Sequence, residues 1–304
     1  EVEDCIYEND INKYEFNKHR KMLQGKYAGV PLENYINKEF NKKALSNKDE
    51  FTRKFLKLMK CIKPLFIGLK EMYNKEISHN DIKEDNILIS DGKCKYIDFG
   101  LSCEFKDRKF YEKRSKMEFL TDRIYPPYPY EFIYLYATPD VLKENDKEDL
   151  KYNINRSLHA RYILIHESIF GRKTNKYLKD LVEKFIKEGK QIKNNNEGIN
   201  ITSLIDTYSL GMLIPSILCR VAKKNGKMKA LKKNLTLNKV KSFMELFKVM
   251  TRQDNHSREN PINAYDRFME LNLIYLSNNK LLTKLNKRTK KRGKKRGKRT
   301  SSKS

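Results

Sequence analysis

The chain centres on residues 79–100, which read HNDIKEDNILISDGKCKYIDFG. The apolar triplet Ile87–Ile89 follows the polar start of this stretch, and Asp91-Gly92 is a strong signal for a tight hairpin turn. Residues 93–97 form the predicted returning strand, which leads into Asp98. Because a hairpin brings its two ends together, we expect the polar start and Asp98 to meet at one end of a two-stranded ribbon.

Three oxygen-bearing side chains and one ammonium group should converge at that end of the ribbon. Asp81, Asn86 and Asp98 supply the oxygens, and Lys83 supplies the ammonium group. Mg²⁺ prefers hard oxygen ligands and usually keeps substrate phosphates among its ligands. Phosphoryl transfer depends on positioning and charge neutralisation more than on covalent chemistry. The pattern therefore indicates a site for a magnesium-bound phosphate compound.

The ordered combination resembles protein kinases. Residues 79–86 resemble the kinase catalytic loop, and Asp98–Gly100 resembles the metal-binding Asp-Phe-Gly motif. The resemblance implies an α+β, protein kinase-like fold, mainly the helical C-lobe with a partial β-rich N-lobe. It implies a protein serine/threonine kinase that transfers the ATP γ-phosphate to a protein hydroxyl, with ATP and Mg²⁺ as cofactors and a protein as substrate.

The resemblance also implies individual roles. Asp81 would accept or orient the substrate hydroxyl proton, and Lys83, which is similar to the Ser/Thr-kinase form of the loop, would neutralise the γ-phosphate. Asn86 and Asp98 would hold Mg²⁺. Residues 25–29 resemble the inter-lobe hinge, whose backbone would bind adenine. The cofactor-binding residues implied are Tyr27, Ala28, Lys83, Asn86 and Asp98.

Further matches extend the resemblance over residues 22–276. Asp206 lies in a motif similar to the kinase helix whose aspartate binds the backbone of the catalytic loop. Arg258 resembles the arginine that pairs with a glutamate ending the activation segment. Glu131 is the preferred partner, and residues 137–140 are the weaker candidate for that segment.

Three residues of this stretch are expected to set the conformation of the loop or differ from the usual kinase pattern. His79 and Phe99 should pack together and set the loop's conformation. Asn80 stands where many kinases have an arginine that grips a phosphate on the activation loop. We therefore hypothesise that activity does not depend on phosphorylation within residues 99–130.

The predicted organisation has three parts. Residues 1–29 are an N-lobe remnant and hinge, residues 30–283 the C-lobe, and residues 284–304 a disordered basic tail. The C-lobe includes an insertion at about residues 137–200. The Gly-rich loop, strand lysine and helix glutamate that should precede the hinge are not recognisable, and the chain begins at Glu1 rather than Met. We therefore expect a piece of a longer kinase, and its activity to require that upstream lobe.

The pattern of apolar residues predicts a mostly helical C-lobe. Helices are expected over residues 51–77, 202–221, 239–251 and 262–276, the second capped by Thr202 or Ser203. Residues 101–139 are expected to be irregular, and the run of asparagines at 194–196 to be a loop.

The positive charge has two sources. The chain has 65 Lys and Arg against 39 Asp and Glu, a net charge of +26. Its wealth of Lys, Asn, Ile and Tyr is typical of AT-rich genomes and, with the divergent activation segment, resembles kinases of large DNA viruses. Residues 287–304 differ, since 11 of these 18 residues are basic and none is acidic. A solubilising tail, a nuclear import signal and nonspecific binding of nucleic acid or another polyanion remain open there.

The cysteines and the hydropathy of the chain indicate where in the cell the protein is expected. None of the five cysteines forms a CxxC pair, which favours a reducing, intracellular compartment. No apolar run approaches the roughly 20 residues of a membrane helix, so no membrane association is expected. A cytoplasmic protein is predicted, with nuclear and virion-associated locations left open.

Two other classes of function compete with a protein kinase. A pseudokinase or scaffold would keep the fold without a complete ATP-binding lobe. A small-molecule kinase of the aminoglycoside or choline type would share the aspartates but generally lacks a lysine at position 83 and the helix that contains Asp206. A polyanion-binding protein acting through residues 287–304 is a further alternative.

Overall fold

The structure is a computed structural model that describes residues 29–120, 128–129, 131–132, 162–172, 195–252 and 255–277. Within these ranges the short strands are β1 (Val30–Pro31), β2 (Ile77–Ser78), β3 (Ile87–Ser90), β4 (Lys93–Tyr96) and β5 (Cys103–Glu104). The helices of the first half are α1 (Leu32–Glu39), α2 (Lys42–Ser46), α3 (Lys48–Asn74) and α4 (Arg108–Leu120). Those of the second half are α5 (Tyr162–Ser168), α6 (Asn195–Ser203), α7 (Ile205–Lys224), α8 (Met228–Leu235), α9 (Asn238–Met250) and α10 (Pro261–Asn272).

Two small antiparallel sheets carry the loops of interest. Strands β1, β3 and β4 form one sheet, in which Val30 pairs with Ile89. Strands β2 and β5 form the other. The β3–β4 turn has φ values of 51° at Asp91 and 70° at Gly92. Positive φ at both central residues is what a two-residue hairpin loop needs, so the predicted ribbon is confirmed.

Helix α3 confirms the predicted long amphipathic helix, shifted by three residues at each end. It begins at Lys48 because the Asn47 side chain accepts a 2.9 Å hydrogen bond from the Glu50 amide, and it ends at Asn74. Its apolar face is buried against β4, α9 and α10. It therefore forms the base on which the ribbon rests, and the Tyr96 hydroxyl of β4 donates to the Leu65 carbonyl at 2.9 Å.

Helix α7 is the second core element. The segment Ile199–Lys224 is the one helical stretch of the described residues that is long and apolar enough to cross a membrane, and 94% of its most apolar window is buried inside the structure. Such burial is that of a core helix. Gly211 allows its close approach to α9, because a Cβ there would lie 2.8 Å from Met250 Cβ and 2.9 Å from Thr251 Cγ2.

The predicted start of α7 is wrong. Its N-cap is Leu204, and no side chain caps it. The Thr202 hydroxyl donates instead to the Phe105 carbonyl at 2.8 Å, and the Ser203 hydroxyl donates to the Asn200 carbonyl at 3.1 Å. Both hydroxyls belong to the preceding helix α6, which starts at Asn195 where a loop was expected. The contact with Phe105 outweighs the poor helix propensity of this segment.

Irregular backbone was predicted over residues 101–139, but α4 begins at Arg108. The Asp107 carboxylate accepts a 3.1 Å hydrogen bond from the Phe110 amide, as an N-cap residue does. Arg108 also pairs with Glu112 one turn later. Residues 108–120 contain neither Gly nor Pro, so this helix has a local signal.

The short helix α5, within the predicted insertion, is anchored on the core by Arg172. Its guanidinium donates to the Thr251 carbonyl at 2.7 Å and lies 2.8 Å from Nδ1 of the buried His166. Burial, with Arg172 beside it, holds the pKa of His166 well below its usual range. His166 is therefore neutral and can accept from Arg172. Leu178, Leu181, Val182, Phe185 and Ile186 also have the spacing of a helix, but they lie outside the described residues.

Replacing Gly211 by Ala should lower the free energy of unfolding by roughly 1–3 kcal/mol, because the added methyl group forces α7 and α9 apart. Urea denaturation would measure the change, with Ser216→Ala on the same helix as the control. Helix propensity alone predicts the opposite sign, a gain of about 0.5–1 kcal/mol. A more stable Gly211→Ala protein would therefore contradict this packing.

Candidate active site

The loop of residues 79–86 is attached to the start of α7 through one carboxylate. Oδ2 of Asp206 accepts a 2.5 Å hydrogen bond from the His79 amide, and Oδ1 accepts a 3.0 Å bond from the Asn80 amide. Burial raises the pKa of the Asp206 carboxyl, and the two amide bonds act in the opposite direction. The predicted contact between this aspartate and the loop backbone is confirmed.

Three of the predicted site residues lie in direct contact within this loop. The Lys83 ammonium group lies 2.9 Å from Asp81 Oδ2, and the Asn86 amide nitrogen donates to the same oxygen at 2.6 Å. The Asn86 nitrogen also donates to the Asp81 carbonyl at 3.0 Å. Only 5% of Asp81 is exposed, so these donors hold a buried carboxylate in one orientation.

His79 connects the loop to the far strand of the ribbon. Its Nδ1 accepts from the Asp81 amide at 3.3 Å, so Nε2 carries the proton and donates to the Ile97 carbonyl at 3.1 Å. The His79 and Phe99 rings lie 4.6 Å apart between centroids, which confirms that they pack together. Phe99 is nevertheless 54% exposed.

Asp98 is connected to this cluster through the residue that precedes it. The Ile97 amide donates to the Asn86 carbonyl at 3.0 Å, so Asp98 follows a residue bonded directly to the catalytic-type loop. Its φ is 60°, a left-handed conformation that Asp tolerates better than most residues, and its Oδ1 accepts from the Gly100 amide at 3.3 Å. The Asp98 carboxylate is exposed, unlike that of Asp81.

The oxygens present suit a magnesium ion. The Asn86 carboxamide uses its nitrogen for Asp81, which leaves its oxygen as the group that would bind a metal. Asp98 would add an exposed carboxylate. Both are hard oxygen donors, the type that Mg²⁺ selects, and the two residues would hold the ion with phosphate oxygens as further ligands.

Arg220 of the core helix α7 holds the loop through an ion pair. This α7 residue pairs with Glu84 at 2.5 Å and with Glu33 of α1 at 3.1 Å. The loop is thus fixed to the core helix at its start by Asp206 and near its end by Glu84. Arg220 was not predicted from the sequence, because its ion pair with Glu84 joins two residues more than 130 positions apart.

Asn80 is the hub between the loop and the following segment. It is 1% exposed and has a φ of 61°. Its side-chain nitrogen lies 3.1 Å from the Leu101 carbonyl and 3.2 Å from the Tyr111 hydroxyl. Its own carbonyl accepts a 2.6 Å hydrogen bond from the Tyr128 hydroxyl. The contacts join the loop to Leu101, helix α4 and residue 128 without any charged group.

The tyrosines of this hub belong to a small second core. Tyr111, Tyr128, Phe132 and Ile205 form a buried apolar cluster. Neither tyrosine was predicted to be a site residue. Their signal was weak, since an aromatic-rich stretch does not say which hydroxyl reaches the loop.

The predicted ion pair of Arg258 is confirmed. Its guanidinium lies 2.6 Å from Glu131, and the two side chains are 0% and 4% exposed. Arg258 also donates to the Arg252 carbonyl at 2.7 Å and lies over the Tyr208 ring, 5.3 Å from the centroid. Glu131 is therefore the partner, as preferred over residues 137–140, and the pair fixes residues 131–132 on the core.

The predicted adenine-binding residues Tyr27 and Ala28 lie outside the described residues. The segment they belong to ends at Gly29, which has a φ of 133°. A Cβ at this position would lie 2.5 Å from the Ile89 carbonyl oxygen. Only glycine fits there, so the chain enters the sheet in contact with the backbone of β3.

These contacts define a class of protein: a catalytic-type loop held on a core helix and joined through a hairpin to an Asp-Phe-Gly loop. A family model described as "Protein kinase domain" matches residues 14–191, which is 178 of the 304 residues. The chain belongs to the protein kinase domain family. No curated protein matches the chain, and no solved structure does.

Replacing Asn80 by Gly should lower the free energy of unfolding by roughly 1–3 kcal/mol, because buried polar partners at Leu101 and Tyr111 lose their hydrogen bonds. Glycine tolerates the φ of 61°, so the change isolates the side chain. Limited proteolysis should cleave faster within residues 101–120 than in the parent. A loss below about 0.5 kcal/mol with unchanged proteolysis would mean that Asn80 is not a hub.

Proposed function

We propose that this chain is the catalytic part of a protein serine/threonine kinase that transfers the γ-phosphate of ATP to a protein hydroxyl. The observation that carries the proposal is the arrangement around Asp81, whose carboxylate is held by Lys83 at 2.9 Å and Asn86 at 2.6 Å. This reaction needs an aspartate, a lysine two residues later and an asparagine five residues later, and the loop has all three at these spacings.

Each residue takes a distinct part in the proposed reaction. Asp81, fixed by its two donors, orients the substrate hydroxyl and receives its proton. Lys83 lies beside it and offsets the negative charge on the phosphoryl group. Asn86 and Asp98 hold Mg²⁺, which when bound neutralises charge on the ATP phosphates. The serine/threonine preference rests on Lys83, which is similar to the form of the loop found in such kinases.

The site favours a protein kinase over a small-molecule kinase. The latter generally lacks both a lysine at position 83 and the helix with Asp206, and here Lys83 contacts Asp81 while Asp206 binds the loop backbone. The pseudokinase alternative is decided by activity alone. Tyr27 and Ala28 belong to the proposed adenine site and are part of the same test.

Radiolabelled ATP transfer to casein or histone, with Mg²⁺, should be measured for the full-length protein. Asp81→Asn and Asp98→Ala should each lower the transfer rate by at least about 100-fold, because the first removes the proton acceptor and the second a metal ligand. Asp85→Asn is the matched control, an exposed aspartate of the same loop, and should retain the rate. Equal rates for all four proteins would identify a contaminating kinase, and no transfer by the parent would favour a pseudokinase.

Transfer should also survive removal of phosphate from residues 99–130. Neutral hydrogen bonds from Asn80 already hold this segment, and the Ser115 hydroxyl is buried and donates to the Phe132 carbonyl at 2.9 Å. Phosphatase treatment, checked by mass spectrometry, should therefore leave the rate unchanged. Loss of activity on dephosphorylation and its recovery on rephosphorylation would contradict this.

A further inference from the structure

Lysines cover helices α2 and α8 and the adjoining ends of α7 and α9, and all of them except the half-buried Lys227 are exposed. This α8 lysine surface consists of Lys42, Lys43, Lys223, Lys224, Lys227, Lys229, Lys232, Lys233, Lys239 and Lys241. Residues 40–48 and 221–244 contain no aspartate or glutamate. These two stretches therefore contribute only positive charge to the surface.

Packing of α8 directs its lysines outward. Leu231, Asn234 and Leu235 form its buried side. The Asn234 side chain donates to the Leu45 carbonyl at 2.8 Å and holds α8 against α2. The opposite side of α8 presents three exposed residues, which are Lys229, Lys232 and Lys233. The lysines of α2 and α8 therefore lie on neighbouring helices rather than on separate parts of the fold.

Helix stability does not explain this charge. Acidic residues are favoured in the first turn of a helix, and α1, α3 and α7 follow that rule with Glu33, Asp49 and Asp206. Helices α2, α8 and α9 have no acid in the first turn and carry lysines there. The helix dipole favours the lysines at the ends of α7 and α8 but opposes those at the beginnings of α2, α8 and α9.

The lysines of this surface are not used for ion pairs. On α3, Lys54 and Lys57 both pair with Glu39 at 3.6 Å. None of the ten lysines pairs with a carboxylate in the part of the chain that the structure describes. Their charge is therefore available to an anionic partner.

The chemistry of the surface favours phosphates in a nucleic acid backbone. Membrane-binding surfaces add apolar side chains to their lysines. Here helices α2 and α8 carry no exposed large hydrophobic residue. Exposed aromatic residues, on which single-stranded bases stack, are absent from the α8 lysine surface. Arginine, which reads guanine edges with two hydrogen bonds, is absent from it too.

We propose that the α8 lysine surface binds the phosphate backbone of double-stranded nucleic acid without sequence preference. Lysines act as point charges that neutralise phosphates and release counterions, which gives affinity without base recognition. This binding activity is separate from phosphoryl transfer and does not require ATP.

The last described residues before the basic tail contact the same part of the fold. Tyr275 lies 3.0 Å from the Ser242 hydroxyl and packs on Phe243, so it contacts α9 next to Lys241. Residue 287 follows twelve positions after Tyr275, and an extended chain of twelve residues spans about 40 Å. Residues 287–304 can therefore reach a duplex that is bound to the α8 lysine surface. Binding at either place then raises the effective concentration of the duplex at the other.

The test is fluorescence anisotropy of the full chain with a labelled, mixed-sequence DNA duplex between about 50 and 200 mM salt. The combined change Lys229→Glu, Lys232→Glu and Lys233→Glu should weaken binding at least about 10-fold and reduce the slope of log K against log salt by about 3. The matched control changes Lys75, Lys93 and Lys95, three exposed lysines outside the surface, to Glu and should weaken binding much less.

A second variant separates the surface from the tail. Lys294→Glu, Lys295→Glu and Arg296→Glu should also weaken binding, and the two sets together should weaken it further. If the α8 variant binds as the control does while the tail variant loses binding, the α8 lysine surface has no such role. Equal loss in the α8 and control variants would show that only net charge matters and would also overturn the proposal.

Two further measurements keep the result unambiguous. Tighter binding to polyglutamate, or to vesicles of phosphatidylcholine and phosphatidylserine, than to the duplex would reject nucleic acid as the partner. Circular dichroism melting should show that the variants fold. If charge reversal prevents folding, the corresponding Lys→Gln variant should give a smaller loss in the same direction, and no loss there would overturn the proposal.

Discussion

The catalytic-type loop depends on one carboxylate that accepts two backbone amides. Asp206 is buried at the start of α7, and its two oxygens bind the amides of His79 and Asn80. Removing a charge from water is unfavourable unless hydrogen bonds replace the lost hydration, and these two amides do so. The φ of 61° at Asn80 then turns the chain that follows these two amides and leads to Asp81. The orientation of Asp81 therefore follows from a core helix remote in sequence.

Local patterns predicted the parts of the site that are formed by neighbouring residues. The ribbon and the cluster of Asp81, Lys83 and Asn86 depend on a tight turn and on spacings of a few residues, which a single sequence displays. Asp206 and Arg258 were found only through the resemblance to kinases, because nothing near them in the sequence indicates their partners. The overall α+β fold followed from the same resemblance.

Contacts between distant segments could not be predicted in this way. Arg220 joins Glu33 and Glu84 across three elements, and Thr202 holds a segment of low helix propensity in a helix by bonding to Phe105. Helix α4 is different, since Asp107 and the residues after it carry an ordinary helix signal. It was missed because the aromatic residues and prolines around it outweighed that signal. Helix α6 therefore could not be predicted because it depends on tertiary contacts. Helix α4 could have been predicted from its local signal.

The segment after the ribbon is held by neutral groups where many kinases use charge. A buried arginine would need a buried anion, and its contribution would change with the state of that anion. The carboxamide of Asn80 and the hydroxyls of Tyr111 and Tyr128 need no counter-charge. The lysines of α2 and α8 lie apart from this cluster, on the solvent side of the two helices. The fold thus separates the interactions that position the loop from those available to an external partner.

The absence of a side chain at Gly29 has a mechanical consequence. The carbonyl oxygen of Ile89 occupies the space that any Cβ at this position would fill, so β1 cannot slide along β3 by one residue without a collision. One glycine thus determines which residues of β1 and β3 face each other, and any larger residue at position 29 would force the two strands apart.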